Sequence, residues 1–204
     1  MTDDPYVDPD SKVLRNKLGI TDEKALDRAE RALVTQRMRE GVPRGKFDLD
    51  HLKAIHRHLF QDVYEWAGKI RTVEIAKDKS QFQFRQYIET GMADIEKRLK
   101  DRNYLRSLPR GEFAREAAAI IGDVNYVHPF REGNGRVQMQ YLKQLCEQAG
   151  HPVQLNRIAP EAWMDASREA HQARYEKMAD CIAMAIVPGR ARSGISRDGG
   201  ERER

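Results

Sequence analysis

The feature that most constrains this chain is a glycine-punctuated stretch, residues 128–136, with the sequence HPFREGNGR. Apolar residues recur at helical spacing before it, from Phe113 to Val127, and again after it, from Gln138 to Leu145. The stretch therefore predicts a loop that connects two helices and opens the second of them. Around this centre we expect a mainly α chain, built as a helical bundle on a central helix-loop-helix.

The loop has the chemistry of an anion site. Glycines at 133 and 135 allow backbone N–H groups to turn toward one point, and the next helix adds its positive N-terminal end. Arg136 falls in the first turn, where a cation opposes the helix dipole unless an anion is bound. Because His128 lies four residues before Glu132, a base and a hard oxygen ligand could flank one phosphate. Glutamate and phosphate oxygens together commonly hold Mg²⁺.

Each of these features alone also fits a structural role. Gly-Asn-Gly between helices is typical of a plain helix-helix turn that uses positive φ angles. A single histidine before such a turn is often a core or capping residue. The coincidence of His128 with Glu132 and Arg136 at this spacing favours a phosphate site with a base.

The stretch resembles the signature of Fic-domain proteins. That signature runs His, any residue, Phe, any residue, Asp or Glu, Gly-Asn-Gly-Arg, two free positions and a second Arg. The chain matches it except at the final position, which is Met139. The resemblance covers residues 6–187 in kind and order, and it predicts a Fic domain over residues 1–188 with an irregular lead-in at 1–20. Residues 189–204 are polar and glycine-rich, and we expect a disordered tail or a linker.

The resemblance implies a protein adenylyltransferase. Such an enzyme transfers AMP from ATP to a Tyr, Thr or Ser hydroxyl of a target protein. His128 is implied as the general base, which suits a group whose pKa lies near neutral pH. Glu132 is implied as the ligand of a Mg²⁺ cofactor bound with ATP. The implied ATP-binding residues are Gly133, Asn134, Gly135 and Arg136.

The missing second arginine is the main departure. On the family pattern the Asn134 side chain is an extra donor to the α-phosphate, and Arg136 grips the outer phosphates. Met139 stands where a second arginine would bind phosphate, and a thioether makes no bidentate contact. Losing that contact should cost about 1.5–3 kcal/mol of ATP binding or transition-state stabilisation. Reduced activity is therefore expected, and a catalytically weakened Fic-like binding or scaffold protein is the alternative.

Residues 70–84 break the helical pattern. Two alternating segments, 71–75 and 81–84, flank a turn-like Lys77-Asp78-Lys79 and predict a single β-hairpin. Such a hairpin covers a core edge, or offers an unpaired edge to a strand of another protein. The resemblance implies the second role, a flap that aligns the target over the motif. Its docking residues are predicted to be Ile75, Lys77, Ser80 and Phe82.

Start and stop signals place the remaining helices. They are predicted from Thr21 to about Arg39, from Asp48 or Asp50 to Gly68, over Ile88–Asp101, and from Pro160 to Val187. Three histidines of the second helix, at 51, 56 and 58, lack the spacing of metal ligands and are interpreted as packing residues.

Composition narrows the remaining classes. The net charge of +4 over 204 residues is spread among interleaved acids and bases, so nucleic-acid binding is not favoured. A helical module that binds nucleic acid through its arginine-rich tail is a third alternative. Cys146 and Cys181 sit in apolar helical patterns, which suggests reduced core residues in a cytosolic protein, and the resemblance implies a bacterial one. No stretch is long enough for a membrane span.

Regulation is predicted from the resemblance. Many Fic proteins are inhibited by a helix with the motif Ser/Thr-x-x-x-Glu-Gly/Asn. The nearest match here, residues 35–41, is one residue too long. The family pattern then implies a small separate antitoxin that carries this helix, with the chain as the toxin of the pair or as an effector translocated into another cell.

Overall fold

The computed structural model describes residues 4–77 and 80–187, so the predicted tail at 189–204 lies outside the described residues. Within them the chain forms seven α-helices and one two-stranded sheet, which confirms the prediction of a mainly helical fold with one hairpin. The helices are α1 (Glu23–Glu40), α2 (Leu49–Phe60), α3 (Ile88–Asp101), α4 (Arg110–Val127), α5 (Asn134–Ala149), α6 (Pro160–Ala170) and α7 (Glu176–Ala185). The strands are β1 (Ala76–Lys77) and β2 (Ser80–Gln81).

Helix α4 is the centre of the bundle. It packs against α3, α5, α6 and α7, and its buried residues lie on all sides, as is typical of a fully enclosed helix. Phe113 and Ile121 are completely buried. Because α4 leads directly into the loop and α5 follows it, the loop sits at one end of the core. No helix in the described ranges is long and apolar enough to cross a bilayer.

Helix α2 ends earlier than expected. It stops at Phe60, and residues 61–68 form turns, so the predicted extension to Gly68 is wrong. Tyr64 and Trp66 stack at 4.3 Å within these turns and are both buried. Gly68 has a φ of +82°, and its N–H donates to His56 Nδ1 at 2.8 Å. The aromatic residues thus continue the apolar pattern although the backbone has left the helix.

The predicted helix from Pro160 to Val187 is also wrong, because two helices occupy this segment. The chain turns back after α6, with Ala173 at a φ of +58°. Lys177 reaches across the turn to Asp165 at 2.6 Å and to Glu169 at 2.7 Å. The reversal packs α7 against both α6 and α4. Each helix has its own apolar stripe, so periodicity alone joined them.

The hairpin is present but shorter than predicted. β1 and β2 are antiparallel, with Ala76 opposite Gln81 and Lys77 opposite Ser80, and turn residues 78–79 lie outside the described ranges. Residues 71–75 were predicted as strand, and the structure leaves them without a ladder partner. Instead Arg71 N donates to Pro129 O at 2.9 Å. The start of this segment is therefore bound to the central loop, while at its end Ile75 O accepts from Phe82 N at 3.3 Å.

Candidate active site

His128 ends α4 in the left-handed conformation, with a φ of 48°. This is uncommon for a residue with a side chain and is typical of functional sites. The imidazole folds back on the helix, where Nδ1 lies 3.0 Å from Asn125 O. Because a carbonyl can only accept, Nδ1 carries the proton of the neutral ring and Nε2 holds the lone pair. The available base is therefore Nε2.

The hairpin covers the His128 ring. Phe82 stacks on the imidazole with 3.7 Å between ring centroids and 20° between planes. Burial lowers the pKa of His128 to about 4, and the cations of Arg71 and Lys77 act in the same direction. At neutral pH the imidazole is uncharged, which is the form that a general base requires.

The two glycines of the loop have different roles. Gly133 is the N-cap of α5 with a φ of +84°, and a Cβ there would lie 2.3 Å from Cζ of Phe60. Gly135 has nothing within 4 Å of such a Cβ. The first backbone N–H groups of a helix lack intrahelical acceptors, so this end of α5 presents donors that could hold an anion.

Asn134 closes the loop on itself. Its Oδ1 accepts from Phe130 N at 3.0 Å, and its Nδ2 donates to Phe130 O at 2.8 Å. The side chain is buried. One amide hydrogen is therefore committed to the loop, and one is left for a phosphate.

His56 binds the backbone of the loop from the core side, a role that the sequence did not reveal. The ring is fully buried between Phe60 and Phe130, at centroid distances of 4.7 and 4.0 Å. Since Nδ1 accepts from Gly68 N, Nε2 is the donor to Glu132 O at 3.0 Å. Burial lowers the pKa of His56 to about 4. The interpretation of His56 as a packing residue is confirmed. Its spacing of four residues from Leu52 and Phe60 was the sequence signal that it lies on the buried face of α2.

Arg136 lies outside the cavity wall. Its guanidinium pairs with Glu30 at 2.5 Å and with Glu132 at 3.3 Å, and it covers the Phe60 ring at 4.7 Å. Glu30 is only 5% exposed and also accepts from the Tyr64 hydroxyl. The role of Arg136 as a ligand of the outer phosphates stays a prediction, because two carboxylates hold its side chain. Sequence analysis missed Glu30, although Leu26, Glu30 and Val34 share one helix face.

Glu132 fits a Mg²⁺ ion that is held jointly with a nucleotide. Its side chain is 45% exposed and lines the cavity. Both Gly133 N and Arg136 donate to Oε1, which leaves Oε2 for a cation. The described residues contain no cluster of three or more His, Cys, Asp or Glu that could hold a metal alone. One carboxylate completed by phosphate oxygens is a usual Mg²⁺ ligand set.

These residues meet in a cavity of about 600 Å³, a typical size for a small-molecule site. The loop, the hairpin and helix α6 form its walls. All four predicted docking residues of the hairpin line this cavity. Arg136 and Met139 do not line it, and Met139 packs against the core. The lining includes His128, Glu132, Gly133, Asn134, Gly135, Gln138, Ile75, Lys77, Ser80, Phe82, Asn125, Trp163 and Ser167.

A buried guanidinium joins the hairpin to the loop. Arg71 Nε donates to His128 O at 2.8 Å, Nη1 donates to Val73 O at 2.8 Å, and Nη2 donates to Gln83 O. Its side chain is completely buried, which lowers the pKa of the group. Arg71 could not be singled out from the sequence, because two of its acceptors, His128 O and Gln83 O, are backbone carbonyls farther along the chain.

Several known proteins are similar to this chain in sequence. The profile of the Fic/DOC family matches residues 46–146. Protein adenylyltransferase VbhT of Bartonella schoenbuchensis is 40% identical over 185 residues, covering 89% of this chain but 38% of that protein. The Sinorhizobium fredii protein named "Probable protein adenylyltransferase y4lH" is 38% identical over 165 residues, covering 80% of this chain and 86% of that protein.

Solved structures of this kind superimpose well. BepC, a VirB-translocated effector protein of Bartonella tribocorum crystallised with bound AMPPNP, matches with a TM-score of 0.82 and 28% identity. The match covers 90% of this chain and 97% of that one. The likeness therefore extends over most of the chain.

Proposed function

Because the chain belongs to the Fic/DOC family, we propose that it transfers AMP from ATP to a Tyr, Thr or Ser hydroxyl of a target protein. One observation carries the proposal: His128, with its lone pair on Nε2, and the glycine loop line the same cavity. A base and an anion site in one cavity suit attack by a hydroxyl on a bound phosphate.

In the proposed reaction, Nε2 of His128 takes the proton of the target hydroxyl. The hydroxyl oxygen bonds to the α-phosphorus, and the bond from that phosphorus to the bridging oxygen of the β-phosphate breaks. AMP is thereby joined to the target, and pyrophosphate leaves. The backbone N–H groups at the start of α5 stabilise the charge that grows on the α-phosphate oxygens. Mg²⁺, held by Glu132 and the phosphates, would offset the negative charge of the leaving group.

The hairpin edge is the proposed dock for the target. Ile75, Lys77, Ser80 and Phe82 border the cavity beside His128, and an extended segment that pairs with this edge would place its hydroxyl near Nε2. Phe82 must then move from the imidazole, because it now occupies that space.

The partners follow from the same family. We propose that a small antitoxin supplies the inhibitory helix, since residues 1–204 contain no such motif. The chain would act in the bacterial cytoplasm, or in another cell if it is exported as BepC is named to be.

A labelling experiment tests the activity. The chain is incubated with α-labelled ATP, Mg²⁺ and bacterial lysate, and the His128→Ala variant is run beside it. We expect labelled protein bands that disappear with His128→Ala. Equal labelling by the two proteins would contradict the assigned base.

The second candidate is a Fic-like binding protein with weakened catalysis. Two observations favour it. Arg136 does not line the cavity, and position 139 carries a methionine in place of the second arginine. Labelling by Met139→Arg but not by the parent chain would indicate a disabled enzyme.

A further inference from the structure

Buried polar atoms without partners concentrate at the cavity. Four side chains in the described ranges have such an atom, and two of them, Gln138 and His171, line the cavity. Gln138 is 2% exposed, and its Nε2 has no acceptor among the described residues. A buried donor without an acceptor destabilises a fold and is rare in proteins. Gln138 is therefore a candidate for a contact that a ligand completes.

The position of Gln138 indicates which part of a ligand it would meet. It lies four residues beyond Asn134 on α5, which is about 6 Å farther along the helix axis. The phosphates belong at the start of that helix, where backbone N–H groups are free. Trp163 and Ser167 of α6 lie on the same cavity lining. The part of a bound nucleotide that would reach Gln138, beyond the phosphates, is the sugar or the base.

We propose that Gln138 Nε2 donates a hydrogen bond to an acceptor on the nucleoside half of the nucleotide, and that this contact contributes to affinity and selectivity. The inference rests on the proposed function. It explains why a polar group remains in the core without a partner: the bond forms only in the nucleotide complex. Replacing the amide by an apolar group of equal length should then weaken nucleotide binding without harming the fold.

The same helix provides a matched control. Gln144 is also buried, at 7% exposure, but both polar atoms of its amide have partners: Nε2 donates to Pro43 O at 2.9 Å, and Oε1 accepts from His51 Nε2 at 3.1 Å. Gln144 is not on the cavity lining. Methionine at position 144 should lower stability and leave nucleotide binding unchanged, which is the opposite of its expected effect at position 138.

The experiment uses the full chain, Gln138→Met and Gln144→Met. Binding of AMPPNP with Mg²⁺ is measured by calorimetry, and thermal unfolding is measured without nucleotide. For Gln138→Met we expect a Kd about three- to tenfold weaker, as for the loss of one hydrogen bond, with a Tm equal to or above that of the parent. For Gln144→Met we expect a lower Tm and an unchanged Kd.

Nucleotide analogues locate the acceptor. 7-Deaza-ATP lacks one acceptor of the base, and 2′-deoxy-ATP and 3′-deoxy-ATP each lack one of the sugar. The analogue that lacks the relevant acceptor should bind the parent more weakly than ATP and should lose no further affinity in Gln138→Met.

The outcomes separate this inference from the proposed function. If the parent binds AMPPNP and Gln138→Met binds it equally well, the inference is wrong and the proposed function stands. If Gln138→Met loses stability and affinity together, the amide has a structural role and the inference is again wrong. If the parent binds no nucleotide at all, both fail.

Discussion

The Glu30 carboxylate binds the Arg136 guanidinium at 2.5 Å, so a residue of α1 holds an arginine in the first turn of α5. Glu30 is nearly inaccessible to solvent. Removing one partner of such a pair leaves an uncompensated charge, whereas replacing both with neutral groups does not.

We therefore expect Arg136→Ala to lower the free energy of unfolding by about 3 kcal/mol. The double variant Glu30→Gln with Arg136→Met should recover more than half of that loss. Urea denaturation of the parent, the single variant and the double variant measures the loss of stability and its recovery. Unchanged stability of Arg136→Ala together with lost AMPPNP binding would instead mean that Arg136 works as a phosphate ligand.

Met139→Arg should strengthen nucleotide binding. The added guanidinium restores a charged contact of about 1.5–3 kcal/mol, which corresponds to at least about tenfold in the Kd of AMPPNP. Met139→Leu is the control, because it keeps an apolar side chain where Met139 packs against the core. Equal affinities of the arginine and leucine variants would show that the cavity has no use for a cation at this position.

Phe82→Ala should raise the pKa of His128. Burial holds that pKa at about 4, compared with its usual 6.5, and the Phe82 ring covers the imidazole. Removing the ring readmits water, which favours the charged form, so the pKa should move back toward 6.5. NMR titration of the imidazole signals measures it. At pH 6 we expect a neutral ring in the parent and a partly protonated one in the variant; indistinguishable titrations would mean that Phe82 does not shield the base.

The two loop glycines should respond differently to alanine. In Gly133→Ala the new Cβ would meet the Phe60 ring at 2.3 Å from a strained backbone, and we expect a loss of about 2–4 kcal/mol of stability. In Gly135→Ala the Cβ enters open space, and stability should stay within about 0.5 kcal/mol of the parent. Thermal unfolding compares them, and similar losses for both would contradict the assigned packing.

His56 should make the fold sensitive to acid. Burial lowers the pKa of His56 from 6.5 to about 4, so the unfolded chain binds the proton more readily. Its contribution is fully present above pH 6.5 and declines as pH falls toward 4, by about 3 kcal/mol in total. Urea denaturation at a series of pH values measures this slope. His56→Gln should flatten it, and an unchanged slope would assign the acid sensitivity to other groups.

Much of the central geometry could be predicted because it depends on neighbouring residues. The apolar periodicity and the glycines located α4, the loop and α5, and α3 has the bounds that its pattern indicated. The hairpin lies where alternation broke the helical pattern. Most of the residues expected to form the catalytic and docking surfaces, among them His128 and Phe82, line one cavity, and Arg136 is the exception.

The remaining features depend on packing between distant segments. Nothing in the sequence around Arg136 indicates Glu30, which lies more than a hundred residues earlier. The reversal between α6 and α7 is fixed by contacts of α7 with α4 and by the ion pairs of Lys177. Apolar spacing is the same in one long helix and in two short ones, so it could not reveal that turn.

The hairpin has only two residue pairs, too few for a ribbon to be rigid by itself. Arg71 connects the foot of the hairpin to the backbone carbonyl of His128, the residue whose imidazole is the proposed general base. A polypeptide docked along this edge, as proposed, would thus be positioned relative to His128, whose imidazole is proposed to receive its proton. The proposed dock and the imidazole would then share one hydrogen-bonded frame, which would keep the gap between proton donor and acceptor constant.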